Sequence, residues 1–149
     1  MKRHSDQALD LADGSWIALY SCYREPALPS RRLIVHPKDT GAGFEVPLDH
    51  RSVVFFSLET NQRFTHAIAP RVRAPENDWF GITFRTSKSL LRFVNGHPIL
   101  PSGARLTLAS EDKRCELFQL RRRENEETSF VYPPISYTLS ESDLLPPVE

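Results

Sequence analysis

A histidine and an aspartate near the start of the sequence have the types and spacing of a metal site. His4 and Asp6 stand two residues apart, and on a strand this spacing places both side chains on the same face. Two imidazoles and one carboxylate occupy one face of an octahedron and leave the other positions open, as at non-haem Fe(II) centres. Taken alone, the tripeptide is more typical of a solvated terminus, so the prediction depends on a second histidine from another strand.

His66 is the candidate for that second histidine. It lies in residues 63–69 (RFTHAIA), which we predict to be a strand. The preceding apolar residues 52–58 (SVVFFSL) predict another strand, and the polar residues between the two predict a turn. The sequence therefore predicts a hairpin whose second strand carries this histidine.

Arg85 is a candidate for binding an anion beside such a site. It ends the predicted strand of residues 79–86, in which Thr83 and Arg85 share one face. An arginine among the apolar neighbours of this strand is costly to bury unless it meets an anion. A dicarboxylate co-substrate would supply one, because the guanidinium fork matches a carboxylate.

Short strands must position these residues. The chain has 149 residues, of which 40% are hydrophobic, with twelve prolines and six glycines that divide it into short segments. Further strands are predicted at residues 15–23 and 31–36. A helix is predicted at residues 113–127, after the N-cap residue Ser110. The sequence thus predicts a mainly β domain with a C-terminal helical and extended appendage.

Composition excludes several classes of protein. The charges of the 19 basic and 19 acidic residues cancel, which argues against general electrostatic binding to nucleic acid or to a membrane. The sequence contains no apolar run of about 18 residues, so it predicts no transmembrane helix. Two cysteines are too few for a disulfide framework, so we expect an intracellular location, cytoplasmic or nuclear.

The order of these segments resembles the AlkB-like family of 2-oxoglutarate- and Fe(II)-dependent dioxygenases. The matching segments, in chain order, are His4-x-Asp6 and residues 16–20, 31–35, 52–60, 66–68 and 82–85. The resemblance implies a double-stranded β-helix, or jelly roll, over residues 1–94. Residues 95–149 would then be an extension packed on that core.

The resemblance also implies an activity. His4, Asp6 and His66 would hold Fe(II), and Arg85 would bind 2-oxoglutarate with help from the hydroxyl of Thr83. The reaction would be oxidative hydroxylation or demethylation. Its expected substrate is an alkylated nucleic-acid base or a methylated protein side chain.

Two departures from the family pattern leave a second interpretation open. Trp79 stands where the family's Arg-x5-Arg motif has its first arginine, so Arg71 or Arg73 becomes the candidate replacement. In the family a long segment also precedes the first histidine, so a missing segment or a partner chain is expected here. The alternative is a non-catalytic β-domain that binds protein or nucleic acid.

Overall fold

The computed structural model of the chain describes residues 2–71 and 76–147. The part that precedes residue 85 is built mainly from strands. In chain order its elements are β1 (Trp16–Tyr23), β2 (Arg31–Pro37), β3 (Phe44–Leu48), β4 (Ser52–Ser57), α1 (Leu58–Arg63), β5 (Phe64–Pro70) and β6 (Trp79–Phe84).

These six strands form two antiparallel sheets that face each other. The first sheet has the order β4-β1-β6 and the second has the order β3-β2-β5. A hydrophobic core lies between them, with Leu19 from the first sheet and Leu33, Val35 and Leu48 from the second. The fold class is therefore mainly β, and the described strands form an open pair of sheets rather than a closed barrel.

Alternation along β1 explains how it covers this core. Ile17, Leu19, Ser21 and Tyr23 are buried, while the residues between them are more exposed. Because successive side chains of a strand point to opposite faces, one face of β1 lines the space between the sheets. The predicted strands at β1, β2, β4, β5 and β6 are confirmed, whereas β3 was not predicted.

The predicted hairpin between β4 and β5 is wrong. Residues 58–63 form the helix α1, where Ser57 is the N-cap and its hydroxyl accepts from the amide of Thr60 at 3.1 Å. This helix carries the chain from one sheet to the other, so β4 pairs with β1 and β5 pairs with β2. His66 consequently lies opposite Val35 of β2.

The C-terminal part adds smaller elements. They are β7 (Arg92–Val94), β8 (His97–Ile99), β9 (Thr107–Leu108), α2 (Glu111–Glu126), β10 (Tyr137–Thr138) and a 3-10 helix (Glu141–Leu144). The predicted helix with Ser110 as its N-cap is confirmed by α2. Its buried face consists of Leu117, Leu120 and Glu124. None of the helices in the described ranges is long and apolar enough to cross a membrane.

Residues 4–12, which we call the N-terminal segment, join the two sheets along one side. His4 pairs with His66 on β5, at the edge of the second sheet. The amide of Ala12 donates to the carbonyl of Thr86, just beyond β6 at the edge of the first sheet, at 2.9 Å. The segment is therefore part of the folded structure, and the solvated terminus that the tripeptide alone would suggest is not what forms.

Candidate metal centre

The structure brings His4, Asp6 and His66 together where the N-terminal segment meets β5. One potential ligand atom from each residue lies within 4.8 Å of the other two. The Nε2 atoms of His4 and His66 lie 3.7 Å and 3.8 Å from Oδ1 of Asp6. Both separations exceed a hydrogen bond, so the imidazoles face this oxygen without bonding to it.

Backbone pairing sets the two imidazoles side by side. The amide of His4 donates to the carbonyl of His66 at 3.0 Å, and the amide of His66 donates to the carbonyl of His4 at 2.7 Å. Their ring centroids are 4.8 Å apart. Nδ1 of His4 donates to the carbonyl of Lys2 at 2.9 Å, which leaves Nε2 as the free nitrogen that faces Asp6.

Asn61 holds Asp6 from α1. Its side-chain oxygen accepts from the amide of Asp6 at 2.8 Å, and its side-chain nitrogen donates to the carbonyl of Asp6 at 2.7 Å. Asn61 is only 2% exposed and Asp6 only 5% exposed. This pair of bonds fixes the backbone from which the carboxylate projects.

The C-terminal helix holds the neighbouring residues of the N-terminal segment. The side-chain oxygen of Asn125 accepts from the amide of Ser5 at 2.7 Å and from its hydroxyl at 3.1 Å. Glu124 accepts from the amide of Ala8 at 2.8 Å and from the hydroxyl of Tyr132 at 2.6 Å. Thus α2, far away in sequence, fixes the residues that flank Asp6.

Arg85 meets Asp6 on the opposite side of the carboxylate. Its Nε donates to Oδ2 of Asp6 at 2.9 Å, and its side chain is 41% exposed. The carboxylate therefore presents Oδ1 to the histidines and Oδ2 to the guanidinium. Within the described residues, the terminal nitrogens of Arg85 make no hydrogen bond, so they remain able to donate to an anion beside the centre.

The charges of this cluster determine which protonation states it favours. Burial alone would raise the pKa of Asp6, but His4 and Arg85 outweigh it and hold the pKa well below its usual range. The facing carboxylate of Asp6 raises the pKa of His4. Burial lowers the pKa of His66 to about 4, so this imidazole is neutral near pH 7 and can act as a ligand.

The cluster has the donor types that a divalent ion binds, and its donor atoms lie near one another. Ligand atoms about 2.1 Å from one ion and at right angles lie about 3 Å apart. The candidate atoms are up to 4.8 Å apart, so they must approach one another by about 1 to 2 Å. A rotation of the side chains can supply that change. Two neutral imidazole nitrogens and one carboxylate oxygen suit Fe(II), and the remaining positions stay open for other ligands.

The other predicted residues lie elsewhere. Thr83 lies in β6 opposite Leu19, and among the described residues its hydroxyl has no hydrogen bond to the cluster. Arg71 donates to Oδ1 of Asp49 at 3.1 Å. Arg73 falls outside the described residues.

Trp79 packs between the two sheets. It contacts the core cluster of Leu19, Leu33, Val35 and Leu48. Its ring also lies across Gly81, since a Cβ at that position would overlap the indole. The residue at the position of the family's first arginine therefore fills apolar space instead of offering a charge.

A cavity of about 290 Å³ opens beside His66. Nine of its thirteen lining residues are apolar, and they include four phenylalanines. The ring of Phe56, which lines this cavity, lies 5.5 Å from the ring of His66. His66 therefore belongs both to the candidate metal centre and to the wall of an apolar chamber.

Sequence reasoning missed the residues that hold the ligands. The sequence predicts a turn at Asn61, but Ser57 followed by the acidic Glu59 is also a helix N-terminal pattern, and it is the pattern that forms in α1. Asn125 and Glu124 contact residues 120 and 116 positions away in sequence. Contacts over such distances leave no local signal in one sequence.

No protein-family model matches the chain, and no curated protein matches it either.

Proposed function

We propose that this chain is an Fe(II)-dependent dioxygenase that takes a 2-oxo acid as its co-substrate. The convergence of His4, Asp6 and His66 is the observation that supports this most strongly. The ligand set consists of two imidazoles and one carboxylate, and it leaves positions free for a bidentate co-substrate and dioxygen. The resemblance of the sequence to the AlkB-like enzymes points to the same chemistry.

Nε2 of His4, Oδ1 of Asp6 and Nε2 of His66 would hold the ion. When bound, iron would couple the conversion of a 2-oxo acid and dioxygen to a carboxylic acid and CO₂ with the insertion of the second oxygen atom into a substrate C–H bond. Hydroxylation beside a nitrogen leads to demethylation.

The residues of the chain orient these reactants. Arg85 would bind the carboxylate of the 2-oxo acid with its terminal nitrogens while its Nε bonds to Asp6. The Lys2 carbonyl holds the Nδ1 proton of His4, so that Nε2 keeps its lone pair for the ion. The apolar wall at His66 offers water few hydrogen-bonding partners on one side of the centre.

We propose in addition that the two sheets form a jelly-roll core. Two facing antiparallel sheets with metal ligands on the side that joins them are compatible with a double-stranded β-helix. The resemblance taken alone implies 2-oxoglutarate as the 2-oxo acid, and an alkylated base or a methylated side chain as the substrate. Both cysteines, Cys22 and Cys115, are free thiols, which fits a reducing intracellular compartment.

Anaerobic metal binding tests the proposal. Isothermal titration with Mn(II) as a redox-stable substitute should show one site per chain, and Fe(II) with a 2-oxo acid should give a weak visible charge-transfer band. Oxygen uptake with release of CO₂ should follow when air is admitted. A chain that binds neither metal ion contradicts the proposal and favours the alternative, a non-catalytic binding domain, to which the apolar packing of Trp79 also points.

A further inference from the structure

The cavity beside His66 does not suit the second carboxylate of a dicarboxylate co-substrate. The described residues that line it include no lysine or arginine. Most of its wall consists of Val, Leu and Phe side chains. A carboxylate moved from water into such a chamber would lose its hydration without gaining a cation, which is strongly unfavourable.

The polar residues of the cavity are already occupied by other partners. The hydroxyls of Ser57 and Thr60 hydrogen-bond to each other at 3.0 Å. Asn61 uses both of its side-chain polar atoms on the backbone of Asp6. His66, the fourth polar residue of the wall, is a candidate ligand of the metal.

Arg85 nevertheless offers a charged partner to one carboxylate of a co-substrate. The terminal nitrogens of Arg85 lie beside Asp6, and Asp6 lies 3.8 Å from His66 in the cavity wall. The metal cluster therefore stands between a single guanidinium and an apolar chamber. The position of the first arginine of the AlkB-like motif is occupied by Trp79, which packs against the core.

We propose, on the basis of the proposed function, that the co-substrate is a 2-oxo acid with an apolar, preferably aromatic, side chain rather than a dicarboxylate. Its carboxylate pairs with Arg85, its 2-oxo acid group faces the metal cluster, and its side chain enters the cavity beside His66. The volume is sufficient, since a cavity of about 150 Å³ accommodates benzene and this one measures about 290 Å³.

Competitive binding to the full chain loaded with Mn(II), without oxygen, tests this inference. Isothermal titration compares phenylpyruvate with 2-oxoglutarate and with pyruvate, which lacks the apolar group. We expect phenylpyruvate to bind at least about tenfold more tightly than either, because only its ring is buried in the cavity. Affinity for 2-oxoglutarate equal to or above that for phenylpyruvate would overturn the inference, and so would binding of no 2-oxo acid at all.

Neighbouring residues of β4 provide a matched pair of variants. Val54 lines the cavity, whereas Val53 is 44% exposed on the other face of the same strand. Val54→Phe should remove the preference for phenylpyruvate and leave Mn(II) and pyruvate binding unchanged, whereas Val53→Phe should leave all three unchanged. Equal effects of the two variants would contradict the assigned cavity.

A second cavity variant guards against misfolding. Phe44 lines the cavity but is 52% exposed, so Phe44→Ala removes a wall without opening the core. It should weaken phenylpyruvate binding severalfold and leave pyruvate binding intact. If the natural chain does not bind Mn(II), the proposed function itself is refuted. If the natural chain binds Mn(II) but prefers 2-oxoglutarate, only this inference is refuted.

Discussion

His66 belongs to a sheet, whereas Asp6 belongs to a segment outside the strands. His66 pairs through its backbone with Val35 on one side and with His4 on the other. Asp6 is held instead by the side chain of Asn61, and its neighbour Ser5 is held by Asn125. The position of His66 therefore depends on main-chain pairing, which most substitutions leave intact. The position of Asp6 depends on a few side chains that one substitution can remove.

Removal of His66 should have the largest effect on metal binding. His66→Ala deletes a ligand nitrogen, so we expect Mn(II) affinity to fall by a factor of about 100 or more. The fold should persist, because the backbone pairs of β5 do not need the imidazole. Titration calorimetry measures the first effect and circular dichroism the second. An unchanged affinity would remove His66 from the ligand set.

Removal of Asn61 should damage the site without touching a ligand. Asn61→Ala leaves the amide and the carbonyl of Asp6 without partners in a buried place, at a cost of about 2–4 kcal/mol of unfolding free energy. Metal affinity should also fall, by about 10- to 100-fold. Denaturant unfolding and Mn(II) titration give the two values.

The next residue of α1 provides the control for that variant. Gln62→Ala should change both quantities little, since Asn61 and not Gln62 bonds to Asp6. A similar loss in both variants would mean that α1 acts through its general stability and not through this contact.

Asn125 should have a smaller effect of the same kind. Asn125→Ala removes the acceptor of the Ser5 amide and hydroxyl, which should lower the unfolding free energy by about 1–2 kcal/mol. Metal affinity should fall only severalfold, since Asn61 still holds Asp6. Arg122→Ala, which breaks only an exposed ion pair with Glu126, should cost less than about 0.5 kcal/mol.

The smallest effect concerns pH. Burial raises the pKa of Glu124 above its usual value of 4.5. At a pH between the usual pKa and the raised pKa of the folded state, Glu124 is protonated in the folded chain but ionised in the unfolded chain. Its contribution to the stability of the fold therefore falls as the pH rises through that range. The unfolding free energy of the natural chain minus that of Glu124→Gln should therefore increase as the pH falls from neutral to below 4.5.

Urea unfolding at several pH values measures that difference. The subtraction removes the contributions of Asp6 and the histidines, which both chains share. Glu126→Gln, an exposed change on the same helix, is the matched control. A difference for Glu124→Gln that does not vary with pH would show that the carboxylate is not held in a buried environment.

Local patterns explain what could be predicted from the sequence. A short run that is apolar on both faces predicts β1, and Ser110 with acidic residues after it predicts the start of α2. The ligand set could be proposed because His4 and Asp6 share a strand-like spacing. The pairing of the strands could not be predicted in the same way. The six residues of α1 carry the chain to the other sheet, and nothing in residues 52–69 specifies β2 as the neighbour of β5. Arg85 as a partner of Asp6 was likewise not predicted.

The bond between Ser5 and Asn125 has a consequence for biosynthesis. A ribosome makes Ser5 120 residues before its partner, an interval on the order of ten seconds at ordinary rates of synthesis. During this time β1 to β6 can already pair and present His66, but the segment with His4 and Asp6 lacks its contacts with α2. Until then this segment is held only by Asn61 and by the backbone pairing of His4 with His66. We therefore expect the candidate centre to tighten severalfold in metal affinity once the helix has left the ribosome.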